Sequence, residues 1–200
     1  MNLADRLLAI HAALADAQIP HAFGGAVALA YWVDEPRGTR DIDVNLFLPP
    51  AEWERVRAAL PDGITADERA LAAIRRDGQA RLWWEDMPVD VFFSNLPIHD
   101  EAARHQREVP FEGVQIPILG PLELAVFKAM FDRGRDWGDI EEMLAAKTLD
   151  PDALRDHLVA LVGPDDRRLS RLDDALRGAE ERIGDSEPQS PTPGRRTRRR

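Results

Sequence analysis

Residues 38–44, which read GTRDIDV, place two aspartates in a stretch that otherwise has the pattern of a buried β-strand. Alternate side chains of a strand share one face, so Asp41 and Asp43 point the same way, about 6–7 Å apart at the backbone. Ile42 and Val44 point the other way, into a core. The segment therefore predicts a strand with one apolar face and one acidic face.

A second strand repeats this pattern. In residues 88–94, PVDVFFS, Val89 and Val91 share one face and Asp90 takes the other. If the two strands pair, three carboxylates converge, and their repulsion raises their pKa values and costs stability. Hard divalent cations relieve such crowding, and Mg²⁺ binds carboxylates together with substrate phosphates. Two such ions clamp the attacking and leaving oxygens of a phosphoryl transfer. The alternative is a solvated strand face with ion pairs to Arg37 and Arg40.

Two glycines precede the strand of Asp41 and Asp43 in the chain. Gly24 and Gly25 follow a short strand candidate, HAF, and come before a short helix candidate, AVALAYWV. Unpaired N–H groups at the start of a helix bind phosphate, and glycine lets a phosphate approach the backbone closely. The other interpretation of the two glycines is a tight strand-to-helix turn.

The chain divides into a mixed half and a helical half. Strand and helix patterns alternate up to a hairpin that turns at residues 112–113, and the pattern is helical from Pro121 onward. We expect an α/β (α+β) fold, a mixed sheet with flanking helices followed by a C-terminal helical domain. The predicted units are a catalytic domain at 1–120, a helical domain at 121–184 and a disordered basic tail at 185–200.

Composition narrows the class of protein. There is no cysteine, which excludes Cys-ligated zinc and thiolate catalysis. The formal net charge is -10. Residues 186–200 carry five arginines and one glutamate, +4, so the remainder is -14, unlike a general nucleic-acid groove. The tail is interpreted as a solvated end, with weak polyanion contact as the alternative. No apolar run is long enough to span a bilayer, so we expect no membrane partner and a cytoplasmic location.

Taken together, these motifs resemble the nucleotidyltransferase (polymerase-β-like) superfamily. The similarity is strongest to the branch of AbiEii/AbiGii-type and MenT-type toxin nucleotidyltransferases. The first motif matches at Gly24, Gly25, Ala28, Leu29, Arg37, Thr39, Asp41 and Asp43, and Asp90 is the third carboxylate. A later helical motif matches at Lys128, Arg133, Asp136 and Asp139.

The resemblance implies a chemistry and a set of roles. A nucleoside monophosphate would pass from an NTP to an acceptor, with two Mg²⁺ ions held by Asp41, Asp43 and Asp90. The nucleotide-binding residues would be Gly24, Gly25, Arg37, Thr39, Lys128 and Asp136. Lys128 is one of only two lysines, against 24 arginines, and an ammonium suits a triphosphate. The alternatives are that Lys128 extends to solvent from an amphipathic helix and that Asp136 caps one.

The acceptor and the partners follow only from the resemblance. They would be an RNA 3′ end, such as that of tRNA, or a protein side chain, and a toxin of this kind would have a cognate antitoxin. A small-molecule acceptor such as an aminoglycoside is the second interpretation. A non-catalytic nucleotide-binding or interaction protein of the same fold is the third, and a structural domain with fortuitous motifs is the last.

Overall fold

The computed structural model describes residues 1–186. Of the tail predicted at 185–200, residues 187–200 lie outside the described residues, so disorder there stays a prediction. Within the described part the strands are β1 (His21–Phe23), β2 (Ile42–Leu46), β3 (Ile64–Thr65), β4 (Gln79–Trp84), β5 (Met87–Phe93), β6 (Arg107–Phe111) and β7 (Val114–Ile118).

All seven strands form one mixed sheet, in the order β3-β4-β5-β2-β1-β7-β6. Strand β2 runs parallel to β5 and antiparallel to β1. Strand β4 pairs antiparallel with β5, and β1 pairs parallel with β7. Two acidic positions become neighbours in this register, because Asp43 lies opposite Asp90. The predicted α/β class and the β6–β7 hairpin are confirmed. The pairing of the two acidic strands, on which the convergence of their carboxylates was conditional, is present.

The described helices are interspersed with the strands up to β7, and the last four follow one another without a strand between them. They are α1 (Leu3–Asp16), α2 (Gly25–Leu29), α3 (Trp53–Ala59), α4 (Glu68–Asp77), α5 (Pro97–His105), α6 (Pro121–Phe131), α7 (Gly134–Ala145), α8 (Pro151–Val162) and α9 (Arg167–Ser186), with a 3₁₀ turn at Pro50–Glu52.

Local chemistry sets many helix ends. Asn2, Asp67 and Asp150 accept hydrogen bonds from backbone N–H groups at the starts of α1, α4 and α8, which have no partner within the helix. Pro121 and Pro151 occupy first turns, where proline loses no helical hydrogen bond. Among residues 1–186, no helix combines the length and apolarity that crossing a membrane requires.

One hydrophobic core runs through both halves of the chain. It contains the sheet residues Val44 and Ile118 and the helical residues Leu124 and Ile140, all almost fully buried. Helix α6 packs against α2, so the helical half contacts the short helix that follows Gly24. The division into domains at residue 120 stays a prediction.

Several local expectations were wrong. Strand β2 begins at Ile42, so Asp41 immediately precedes the strand. Helix α2 ends at Leu29, and the indole of Trp32 beyond it donates to the carbonyl of Leu119 instead. Strand β3 and helix α5 were not predicted. The buried apolar positions of α5 are only Ile98 and Ala102, which is too weak a pattern to indicate a helix.

Candidate active site

Three carboxylates lie near one another on or just before the neighbouring strands β2 and β5. Asp43 on β2 and Asp90 on β5 are register neighbours, and Asp41 immediately precedes β2. Burial, together with the negative charges of Asp41 and Asp90, raises the pKa of Asp43 to about 7. The positive charges of Lys128 and Arg133 act in the opposite direction but do not cancel these effects. The cluster therefore carries more negative charge than its protein surroundings neutralise.

The two glycines make room for Asp43. Gly24 donates its backbone N–H to the Asp43 carbonyl at 2.9 Å, which joins the turn to β2. Gly25 has a φ of 52°, in the left-handed region that favours glycine. A Cβ at Gly25 would lie 1.8 Å from a carboxylate oxygen of Asp43. The glycine at this position therefore allows the carboxylate to lie directly against the backbone at the start of α2.

We expect Gly25→Ala to destabilise the protein. A non-glycine residue in the left-handed region costs about 1–3 kcal/mol, and the Asp43 carboxylate must also move. Gly138→Ala in α7 is the matched control, because a Cβ there meets no atom within 4 Å. That control should be neutral or slightly stabilising. Thermal unfolding of both variants checks this, and equal midpoints would contradict the assigned role of Gly25.

Arg81 is the main counter-charge of the cluster. It lies opposite Asp90 on β4, and its Nε and a terminal nitrogen donate to the two Asp90 oxygens at 2.8 and 2.6 Å. The same terminal nitrogen lies 3.8 Å from Asp41. The expected alternative of ion pairs to Arg37 and Arg40 is not what the described residues show. Arg37 pairs with Asp139, and the hydroxyl of Thr39 donates to Asp41.

A second charged group lies beside the carboxylates. Lys128, 5% exposed on α6, donates to Asp139 on α7 at 2.5 Å. Arg37 donates to both Asp139 oxygens at 3.0 and 2.9 Å. Burial alone would raise the pKa of Asp139, but the hydrogen bonds from Arg37 and Lys128 hold that pKa below its ordinary value. Asp139 thus fixes two cations next to the acidic cluster.

Asp136 combines a capping contact with an ion pair at the start of α7. Its carboxylate accepts from the backbone N–H of Arg133 at the start of α7, as expected of a capping residue. It also accepts two hydrogen bonds from the Arg133 guanidinium, at 2.6 and 3.1 Å. Asp136 is almost fully buried and lines the same cavity as the carboxylates.

These groups form one end of a cavity of about 670 Å³. Its charged end brings together seven of the predicted site residues, namely Gly25, Arg37, Asp41, Asp43, Asp90, Lys128 and Asp136. Gly24 is not in the lining, and a Cβ at that position would meet the side chains of Asn45 and Leu119. The other end is apolar and includes Phe92, Phe127, Met130 and Phe131. The cavity has the size and the mixed lining of a small-molecule site.

A smaller basic pocket adjoins the cavity at Asp41. It is lined by Arg37, Thr39, Arg40 and Arg135, among others, and it shares Arg37, Asp41 and Arg135 with the main cavity. Thr39, a predicted nucleotide-binding residue, lies here and not in the main cavity. Arg40 and Arg135 are exposed, and neither has an ion-pair partner among residues 1–186.

The three carboxylates are suitable ligands for Mg²⁺, but two of them are arranged around the Arg81 guanidinium. All three candidate ligands are carboxylates, the oxygen ligands that Mg²⁺ prefers, and the raised pKa of Asp43 marks a charge that a cation would neutralise. Across residues 1–186, however, no three acidic or histidine side chains are already grouped as metal ligands. The Arg81 guanidinium instead contacts Asp90 and Asp41.

A known protein family matches almost the whole chain. A model of the AbiEii nucleotidyltransferase toxin family, of type IV toxin–antitoxin systems, matches residues 6–197. The chain belongs to this family. It is a nucleotidyltransferase, as the sequence motifs predicted. No curated protein sequence matches the chain significantly.

Several solved structures are similar to this AbiEii-family chain. A putative nucleotidyltransferase from Helicobacter pylori is 18% identical, with 92% of this chain and 96% of that chain covered and a TM-score of 0.46. The antibiotic-resistance factor ANT(2″)-Ia, in complex with adenylyl-2″-tobramycin, is 13% identical, with 90% and 97% covered and a TM-score of 0.46. Because these identities and TM-scores are low, the assignment of the chain to the AbiEii family rests on the family match and not on the similar structures.

Two residues of the site were missed by the sequence interpretation of the family motifs. Arg81 follows from the β4–β5 hairpin, whose turn fixes which residue of β4 lies opposite Asp90. Asp139 matched the family pattern but was given no role. Its partners are 11 and 102 residues away in the chain, so only the folded protein reveals what it holds.

Proposed function

We propose that this AbiEii-family chain transfers a nucleoside monophosphate from an NTP to an RNA hydroxyl in a Mg²⁺-dependent reaction, and that it acts as a toxin with a cognate antitoxin. The register of Asp43 and Asp90 carries the proposal, because it collects the carboxylates at the charged end of the cavity. When bound, Mg²⁺ held by Asp41, Asp43 and Asp90 supplies charge neutralisation for the phosphates.

The chain's own residues have separate tasks in this reaction. Lys128, with Arg37 beside it, places positive charge next to the triphosphate, and Gly25 leaves room for the Asp43 carboxylate at the site. Asp90 accepts the proton of the attacking hydroxyl. A bond forms between that oxygen and the α-phosphorus, the bond from the α-phosphorus to the bridging oxygen breaks, and pyrophosphate leaves.

The basic pocket favours a phosphate-bearing acceptor. Arg37, Arg40 and Arg135 border Asp41, and two of these three arginines have no ion-pair partner in the described residues. The strongly acidic body argues against extensive RNA binding, but a local basic pocket next to the carboxylates supports contact with one or two phosphates of a strand end. A cationic acceptor such as an aminoglycoside would be repelled by the same arginines.

The test uses the purified protein, Mg²⁺, each α-labelled NTP in turn, and total tRNA. Label should enter RNA with the wild type and not with Asp41→Asn/Asp43→Asn. We expect Arg40→Gln/Arg135→Gln to reduce the labelling of RNA and to lower the salt dependence of RNA binding by about two phosphate contacts. Arg69→Gln/Arg104→Gln is the matched control, because both arginines are exposed and neither lines either pocket.

Other outcomes would redirect the assignment. Label in the protein itself, with none in RNA, would indicate a protein acceptor. Transfer to an aminoglycoside that the Arg40/Arg135 variant retains in full would favour a small-molecule acceptor. Nucleotide binding without transfer to any acceptor would favour a binding protein of the same fold.

A further inference from the structure

We propose that Arg81 is an internal counter-ion that competes with the metal for Asp90 and Asp41. The inference rests on the proposed function, since it concerns the same carboxylates. It assigns to Arg81 a role in metal loading: in the metal-free enzyme the guanidinium neutralises the cluster, and a metal binds only when the guanidinium leaves Asp90.

The position of the guanidinium is the first argument. Its two hydrogen bonds engage both oxygens of Asp90, and the terminal nitrogen that makes the shorter one also lies 3.8 Å from Asp41. A cation shared by Asp41 and Asp90 would have to lie between the same two carboxylates. Guanidinium and metal are both positive, so each disfavours the other at that position.

The strength of the contact is the second argument. A guanidinium that donates two parallel hydrogen bonds to a carboxylate forms one of the stronger ion pairs in proteins. Arginine also stays charged at any physiological pH, so it cannot give up this contact by losing a proton. Asp90 is mostly buried, with a side chain 17% exposed, so screening by water weakens the pair only in part.

The mobility of the side chain is the third argument. Arg81 shares its face of β4 with exposed residues, while its neighbour Leu82 is buried on the other face. The Arg81 side chain is 49% exposed, so it can rotate into solvent without any movement of the strand. In this arrangement free metal loads weakly, and a nucleotide, which brings its own negative charge, favours displacement of Arg81.

The test measures Mn²⁺ binding to the nucleotide-free protein by electron paramagnetic resonance. We expect Arg81→Gln to bind Mn²⁺ about tenfold more tightly than the wild type, because one adjacent positive charge is removed. Arg81→Lys should be intermediate, since lysine keeps the charge but not the paired hydrogen bonds. Arg69→Gln has the same change in net charge and should bind as the wild type does. Asp43→Asn in the Arg81→Gln background should abolish the gain.

Thermal unfolding supplies a second measurement that does not depend on activity. Arg81→Gln leaves the carboxylates without their main counter-charge, so Mg²⁺ should raise its unfolding midpoint by more than it raises that of the wild type. Equal or weaker Asp43-dependent Mn²⁺ binding by Arg81→Gln would overturn the inference and leave the proposed function standing. No Asp43-dependent binding in any variant, even with a non-hydrolysable NTP analogue, would remove the metal site and both proposals.

Discussion

Asp43→Asn should strongly reduce nucleotidyl transfer and at the same time make the protein more stable above pH 7. Loss of a group that stabilises charge in the transition state typically costs about 10²–10³-fold in rate. The gain in stability has a separate cause, which is that Asp43 is ionised at high pH in surroundings that disfavour its charge. Asparagine has nearly the same shape and never carries that charge.

The pH dependence of the Asp43 effect has a definite sign. The pKa of Asp43 is raised from 3.8 to about 7 in the native state, so the native protein holds this proton more tightly than the unfolded chain does. The stabilisation from the bound proton is complete below pH 4 and is lost as the pH rises through 7. At pH 8 we expect Asp43→Asn to be more stable than the wild type by about 1–3 kcal/mol, less than the full shift implies because solvent reaches the cavity.

The measurement compares unfolding midpoints at pH 5 and pH 8. The advantage of Asp43→Asn should grow with pH, and Mg²⁺ with a non-hydrolysable NTP analogue should stabilise the wild type only. Asp62→Asn, at an exposed position outside the cavity, is the matched control and should show neither effect. A pH-independent difference would mean that burial and the neighbouring carboxylates do not raise the pKa of Asp43 in the native protein.

The acidic face of the sheet was predictable because strands have a period of two. Ile42 and Val44 in one strand, and Val89 and Val91 in the other, are all almost fully buried, which fixes the opposite face for Asp43 and Asp90. The parallel pairing that brings the two aspartates together was only a condition of the argument. Forty residues separate β2 from β5, and no local pattern specifies that they are neighbours.

The counter-charges were harder to predict, for two different reasons. The pairing of β4 with β5 depends on a turn of only two residues, since β4 ends at Trp84 and β5 begins at Met87. A change of one residue in a turn changes every cross-strand neighbour, so Arg81 could not be matched to Asp90. The contacts of Asp139 depend on the packing of α6 against α7 and on the position of Arg37 beside Asp139. Only the tertiary structure determines both.

Asp139→Ala should cause the largest loss of stability among the substitutions considered. It removes the hydrogen-bond partner of the buried Lys128 ammonium and both acceptors of the Arg37 guanidinium. Removing one member of a buried ion pair costs about 3–5 kcal/mol, because the remaining charge is left without compensation. For a chain of this size that corresponds to a fall in the unfolding midpoint of about 6–20 °C.

Two further variants test whether the loss comes from the unpaired charge of Lys128. Asp174→Ala removes an exposed aspartate that pairs with Arg177 on α9, and it should change stability little, since exposed ion pairs contribute little. Lys128→Met/Asp139→Leu removes both buried charges and should recover much of the stability that Asp139→Ala loses, yet it should stay inactive if Lys128 binds the triphosphate. Urea unfolding and NTP binding of the three variants distinguish these effects. If Asp139→Ala costs no more than Asp174→Ala, the buried group does not stabilise the fold, and Asp139 matters only for placing Lys128 and Arg37 beside the nucleotide.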